Sequence, residues 1–115
     1  MGIEKRFDPS PAPNFKIMKI PKEFKLMGQT IRVKYVKRLA YKDDAEGYAR
    51  YRDQEILIQE SSENWPRTQE QIEHTFCHEL IHYILEKLNE KELRDNEKFV
   101  DTFAGLLHQA LTTQK

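Results

Sequence analysis

His78-Glu79-Leu80-Ile81-His82 sets two imidazoles four residues apart around a carboxylate. On a helix, residues four apart lie one above the other, so both rings leave the same side. Two neutral imidazoles so placed can share one divalent ion, with Zn2+ the expected metal, and the glutamate between them can take a proton from a water held there. The chemistry this predicts is metal-assisted hydrolysis, with His78 and His82 as ligands and Glu79 as general base. A site of this kind takes a third protein ligand and leaves a fourth position to water. Glu86, Glu90, Glu92, Asp95, Glu97, Asp101 and His108 are the downstream candidates. Glu86 lies one turn beyond His82, and its rise carries it past the ion. Glu90, Glu92 and Asp95 fall in a polar stretch where nothing fixes their direction. Glu97 opens the next helix on its polar stripe, and a chain reversal would return it to the histidines, so Glu97 is the expected third ligand. Asp101, one turn on, is placed to accept the far N–H of a ligand imidazole, which fixes its tautomer.

These residues need elements to hold them. Thr68 with Gln71 three residues later is a capping box, so a helix is expected from about Gln69 to about Leu88. Its apolar residues cover about half the circumference, with His78 and His82 on the flank of that arc. The stretch from Asn89 to Asn96 reads as a turn in which Lys91 to Leu93 can stay helical. A second helix, about Glu97 to Leu111, carries Phe99, Val100, Phe103, Leu106, Leu107 and Ala110 as its predicted core face, with Glu97, Asp101, Ala104 and His108 on the opposite stripe. Upstream, Thr30 to Val36 alternates as a half-buried strand, and Glu46–Tyr51 and Glu55–Gln59 flank a hairpin turn. The fold class expected is α+β: a short antiparallel or mixed three-stranded sheet, with Phe24 to Leu26 extending its first strand, packed on the motif helix and the second helix.

The chain has 115 residues, 19 basic and 19 acidic, so it supports one small domain and has no net charge to draw it to nucleic acid or an anionic membrane. Asp8-Pro9-Ser10-Pro11-Ala12-Pro13 cannot start a helix or central strand, and residues 1–21 are expected to be a flexible arm ahead of a single domain over residues 22–115. No apolar run approaches the ~20 residues that span a bilayer. No apolar segment of signal-peptide length opens the chain, and Cys77 is the only cysteine. Together these predict a cytoplasmic protein.

His78-Glu79-Leu80-Ile81-His82 followed by Asn96-Glu97-Lys98-Phe99-Val100-Asp101 resembles the gluzincin pattern, H-E-x-x-H and then N-E-x-x-x-D, of thermolysin-like peptidases. Glu97 to Ala104 is also similar to the E-x-x-A-N-x-F-A signature of the ImmA/IrrE metallopeptidases, with Val100 in place of the alanine and Asp101 in place of the asparagine. The resemblance covers about residues 30–111. It implies a minimal zincin-like domain in which a twisted sheet precedes the active-site helix. It also implies peptide-bond hydrolysis in a protein or peptide substrate, such as a regulatory protein or repressor. That substrate would lie extended along the edge strand formed by Glu55–Gln59 or its hairpin partner, with Tyr48, Tyr51 or Tyr83 donating to the oxyanion.

Other readings attach to the same residues. His74 completes a column with His78 and His82, but the ends are ~12 Å apart and one ion cannot take all three, so His74 is expected at the cleft rim. His108 lies ~16 Å beyond Glu97 along the helix, too far to ligate with it. Cys77 faces the apolar arc and is expected to be an inert core residue. A structural zinc site would need a fourth protein ligand that the motif does not supply. The alternative function is a zincin-fold binding module with little or no turnover.

Overall fold

The computed structural model describes residues 16–39 and 46–115. The proline-rich segment from Asp8 to Pro13 lies outside the described residues. Lys16 N–H donates to the Thr112 carbonyl at 3.2 Å, and Met18 N–H donates to Glu73 Oε2 at 3.0 Å, so this approach to the first strand runs along the helices.

Among the described residues four strands form the sheet, not three: β1 Glu23–Leu26, β2 Gln29–Val36, β3 Gly47–Arg50 and β4 Glu55–Gln59. Their order is β1-β2-β4-β3. The first strand is separate because Met27 and Gly28 both take positive φ, 49° and 82°. That is the geometry of a two-residue type I′ hairpin turn, which matches the twist of the strands it joins. Gly28 takes such a φ freely, and Leu26 then pairs with Gln29. The sheet is mixed rather than wholly antiparallel. After β2 the chain crosses to the far edge to form β3, then turns at Tyr51–Gln54 and returns β4 beside β2 in parallel. β4 takes the centre because Ile56, Leu57 and Ile58 form a continuous apolar run that needs cover on both faces. The shorter β3 is left as an edge.

Helix α1, Gln69–Lys87, starts at the Thr68 cap. Thr68 Oγ1 accepts from Gln71 N–H at 3.1 Å, and Gln71 Oε1 accepts from Thr68 N–H at 2.9 Å. At its other end Asn89 takes φ 60°. Glu90 N–H reaches the Leu85 carbonyl at 2.9 Å and Asn89 N–H reaches Glu86 at 3.1 Å, a Schellman closure. The short α2, Lys91–Arg94, fills the reversal, and Asn96 caps α3, Glu97–Thr112, by accepting from Phe99 N–H at 3.0 Å. α1 packs on the inner face of the sheet, where Ile31, Ile56, Ile58, Phe76, Cys77 and Ile81 form the core.

The apolar face expected of α3 turns inward only in part: Val100 is buried and Phe99 and Leu107 pack against the core. Val100, Ala104, His108 and Thr112 are its buried residues, while Phe103, Leu106 and Ala110 are exposed. Ala104 and His108, expected on the polar stripe, turn inward beside Val100, while Glu97 and Asp101 at the exposed edge of that face meet imidazoles of α1. Among the described residues no helix is long and apolar enough to cross a membrane.

Candidate metal centre and its cleft

α3 runs antiparallel to α1, and the contacts between them descend in order. Glu97 meets both His82 and His78, Asp101 meets His78 and His74, and His108 meets Glu73. Glu97 Oε1 lies 2.9 Å from His78 Nε2, and its Oε2 lies 3.0 Å from His82 Nε2. The two rings sit 4.9 Å apart between centroids. One ligand atom from each of His78, His82 and Glu97 falls within 4.8 Å of the others.

The donor set suits a divalent cation on chemical grounds. Two imidazole nitrogens and one carboxylate converge from two helices, and each ring has its other side tied down. Asp101 Oδ1 is 3.1 Å from His78 Nδ1, and His82 bonds to the Arg94 backbone carbonyl. Such bonds orient a ligand ring and raise its basicity. Burial lowers the His82 pKa from its ordinary value, against the opposing pull of Glu97. The neutral ring needed for ligation is favoured accordingly. Among the described residues no fourth side chain joins the group.

Glu79 points into the same space from a different surrounding. It is 7% exposed. Burial, with Glu97 adding to it, pushes its pKa up to about 7, against the opposing effects of His78 and a bond from the Ala49 N–H. That bond comes from edge strand β3, which lies directly on α1. A Cβ on Gly47 would stand 2.5 Å from Thr75 Cγ2 and 2.9 Å from Glu79 Oε2. Only glycine permits this approach. Arg67, also buried, holds the same corner by donating to the Gln59 and Gln71 carbonyls, Thr75 Oγ1 and Glu46. Desolvation pulls its pKa down.

A cleft of about 1110 Å3 opens over these groups. One wall is the whole of β3 with its turn, Glu46 to Asp53; the other is His74, His78, Glu79, His82, Glu97 and Asp101. His74 sits on this wall, its Nε2 3.6 Å from Asp101 Oδ1. Tyr48 and Tyr51 line the cleft, but Tyr83 does not: its hydroxyl donates to the Arg50 carbonyl at 2.7 Å, and burial raises its pKa to about 12. Cys77 is 1% exposed with its thiol pKa raised to about 11 by burial, away from the cleft.

Four contributors escape, wholly or in part, a reading of the motif. Gly47 and the Ala49 N–H act through backbone, which residue type does not advertise. Arg67 follows a proline in a loop, where a buried guanidinium is not expected. The Glu73–His108 pair had half a signal, since His108 shares the stripe of Glu97 and Asp101. Compared with protein-family models, with curated proteins and with solved structures, the chain gives no match in any of the three.

Proposed function

We propose that the chain is a zinc-dependent metallopeptidase of the zincin kind, resembling the ImmA/IrrE peptidases, that hydrolyses peptide bonds of a cytoplasmic protein substrate. The observation that carries this reading is the convergence of His78 Nε2, His82 Nε2 and the Glu97 carboxylate beside a buried Glu79 in one cleft. When bound, zinc supplies a Lewis acid that polarises a carbonyl and acidifies water. His78, His82 and Glu97 hold it, and Asp101 keeps the His78 ring in the tautomer that offers Nε2.

Glu79 is the general base. A carboxyl with a pKa near neutrality can both accept a proton from water at Oε and return it to a leaving amine. The Ala49 N–H aims the carboxylate and ties it to β3. That strand is paired to β4 on one side only, and its other side faces the cleft. An extended peptide can add there as a further strand, which sets its carbonyls at a fixed height over the metal ligands. Tyr48 and Tyr51 are the remaining candidates for a donor to the oxyanion.

The test has two arms. Zinc measured in the purified protein is expected at one per chain and lost in His82→Ala and Glu97→Ala; zinc retained in Glu97→Ala removes the third ligand. Glu79→Gln is expected to keep the zinc and lower cleavage of a quenched-fluorescence peptide library by roughly 10^2–10^4-fold, the usual contribution of a general base. A wild type that binds zinc and cleaves nothing favours a zincin-fold binding module.

A further inference from the structure

From Leu88 to Lys98 the chain reverses between α1 and α3, and along that stretch Arg94 is the one residue that is not exposed. α2 is a single turn with no side-chain bond at its start and no buried residue, too short to hold its shape alone in water. Its last carbonyl nevertheless has a task, because the His82 ring donates to the Arg94 carbonyl oxygen. A carbonyl that orients a ligand ring must itself be fixed, or the ring turns with it.

The Arg94 side chain supplies the fixing. Its guanidinium lies over the Tyr51 ring, 5.4 Å from the centroid, and is 24% exposed. Its acidic partner Asp95, 3.3 Å from Arg94 Nε, is its own neighbour in the chain and ties it to nothing beyond the reversal. Tyr51 packs edge-on against Tyr83, with 5.0 Å between centroids and 71° between planes. Tyr83 is buried and donates its hydroxyl to the Arg50 carbonyl. The stack therefore joins α2 to the end of β3 and to the residue of α1 that follows His82. Resting on the reading of His82 as a metal ligand, we propose that Arg94 is a positioning residue: its guanidinium, seated on Tyr51, holds the α2 carbonyl that turns the His82 ring toward the ion. A cation within about 6 Å of an aromatic centroid is attracted to the ring face, and the flat guanidinium stacks there as an ammonium does not. Charge alone works in the opposite direction, since a cation close to a divalent ion repels it. Tyr51 also lines the cleft, so one ring braces both the wall and the ligand.

Competition with a chromophoric chelator on the full chain tests this without any substrate. Arg94→Met is expected to weaken zinc binding about 3–10-fold, the scale of one cation–π contact, although loss of a nearby positive charge would by itself tighten it. Tyr51→Leu is expected to weaken it equally, and the double variant no further than either single one. Tyr51→Phe keeps the ring and is expected to bind zinc like the wild type, while Arg94→Lys recovers part of the loss. A brace that serves stability alone would lower Tm and leave the zinc affinity of the folded chain unchanged. Unchanged or tighter zinc binding in Arg94→Met therefore overturns the positioning role and leaves the ligand set standing. Additive losses in the double variant overturn Tyr51 as the seat. A wild type that takes no zinc overturns the ligand reading, and this proposal with it.

Discussion

Two carboxylate–imidazole groups bridge the same pair of helices, and they have opposite fates. Glu73 and His108 meet at 2.9 Å with side chains 0% and 9% exposed. Glu73 spends its second oxygen on Met18 N–H and Gln69 Nε2, at 3.0 and 2.8 Å. Glu97 meets His78 and His82 at similar distances, but its side chain is 68% exposed and opens on the cleft. Residue types do not separate a latch from a ligand set; the number of lone pairs already committed to the protein does. At the lower site every acceptor is in use and water is excluded. At the upper site two rings present the same nitrogen to one accessible carboxylate, and a cation can replace the bonds between them.

That contrast can be broken in order of size. Glu73→Ala leaves His108, Gln69 and the Met18 N–H without their acceptor. It is expected to cost about 3–5 kcal/mol and to lower Tm by roughly 10–20 °C by calorimetry. Zinc per folded chain should not change; if it falls, the two groups are one unit.

The next effect is one of pH. Glu79 has a folded pKa of about 7 against an ordinary 4.5. Between those values the folded state holds a proton that the unfolded chain has released, so stability falls as pH rises from 4.5 and levels off above about 7. The full span is about 3 kcal/mol. His82 acts in the opposite sense: its lowered pKa makes stability rise as pH climbs toward its ordinary value of 6.5. Urea titrations of chelator-treated wild type and Glu79→Gln at pH 5 and pH 8 isolate the Glu79 part. Equal pH dependence in the two proteins would remove the buried-acid reading.

Asp101→Ala should weaken zinc binding about 10–100-fold, the usual effect of removing a bond to a ligand ring. Competition with a chromophoric chelator measures it. The smallest change is Glu97→Ala without metal, expected within about 0.5 kcal/mol of wild type because the side chain is largely in water. A loss comparable to that of Glu73→Ala would erase the distinction between the sites.

Much of this was legible from residue pattern. The capping box, the length of α1, the reversal after Leu88 and the start of α3 follow from local chemistry, and the structure places them as expected. The set of His78, His82, Glu97 and Asp101 was named from spacing, and the helices bring those side chains together. Other features are not carried by local pattern. The fourth strand hid behind Met27-Gly28, a I′ turn without the usual asparagine. The parallel pairing of β2 with β4 depends on which strand needs cover on both faces, a comparison between strands rather than a property of either. The expected inward face of α3 is right only in part, because Phe103, Leu106 and Ala110, which continue its apolar pattern, lie on the exposed side. The inward arc is the one on which Val100 and Ala104 reach the core and His108 reaches Glu73, contacts with other elements that no single-helix pattern contains.

The reversal between α1 and α3 has a consequence for how the protein can vary. Carboxylates at 97 and 101 descend past imidazoles at 82, 78 and 74 with nearly the same step, so the two helices form a vernier with more than one near-coincidence. The Schellman closure at Asn89, the single turn of α2 and the Asn96 cap select one of them. Inserting or deleting one residue there would rotate α3 by ~100° and swing Glu97 away from both rings, while four residues would trade one carboxylate for the other. The length of this connection is therefore part of the site, although it contributes no atom to it.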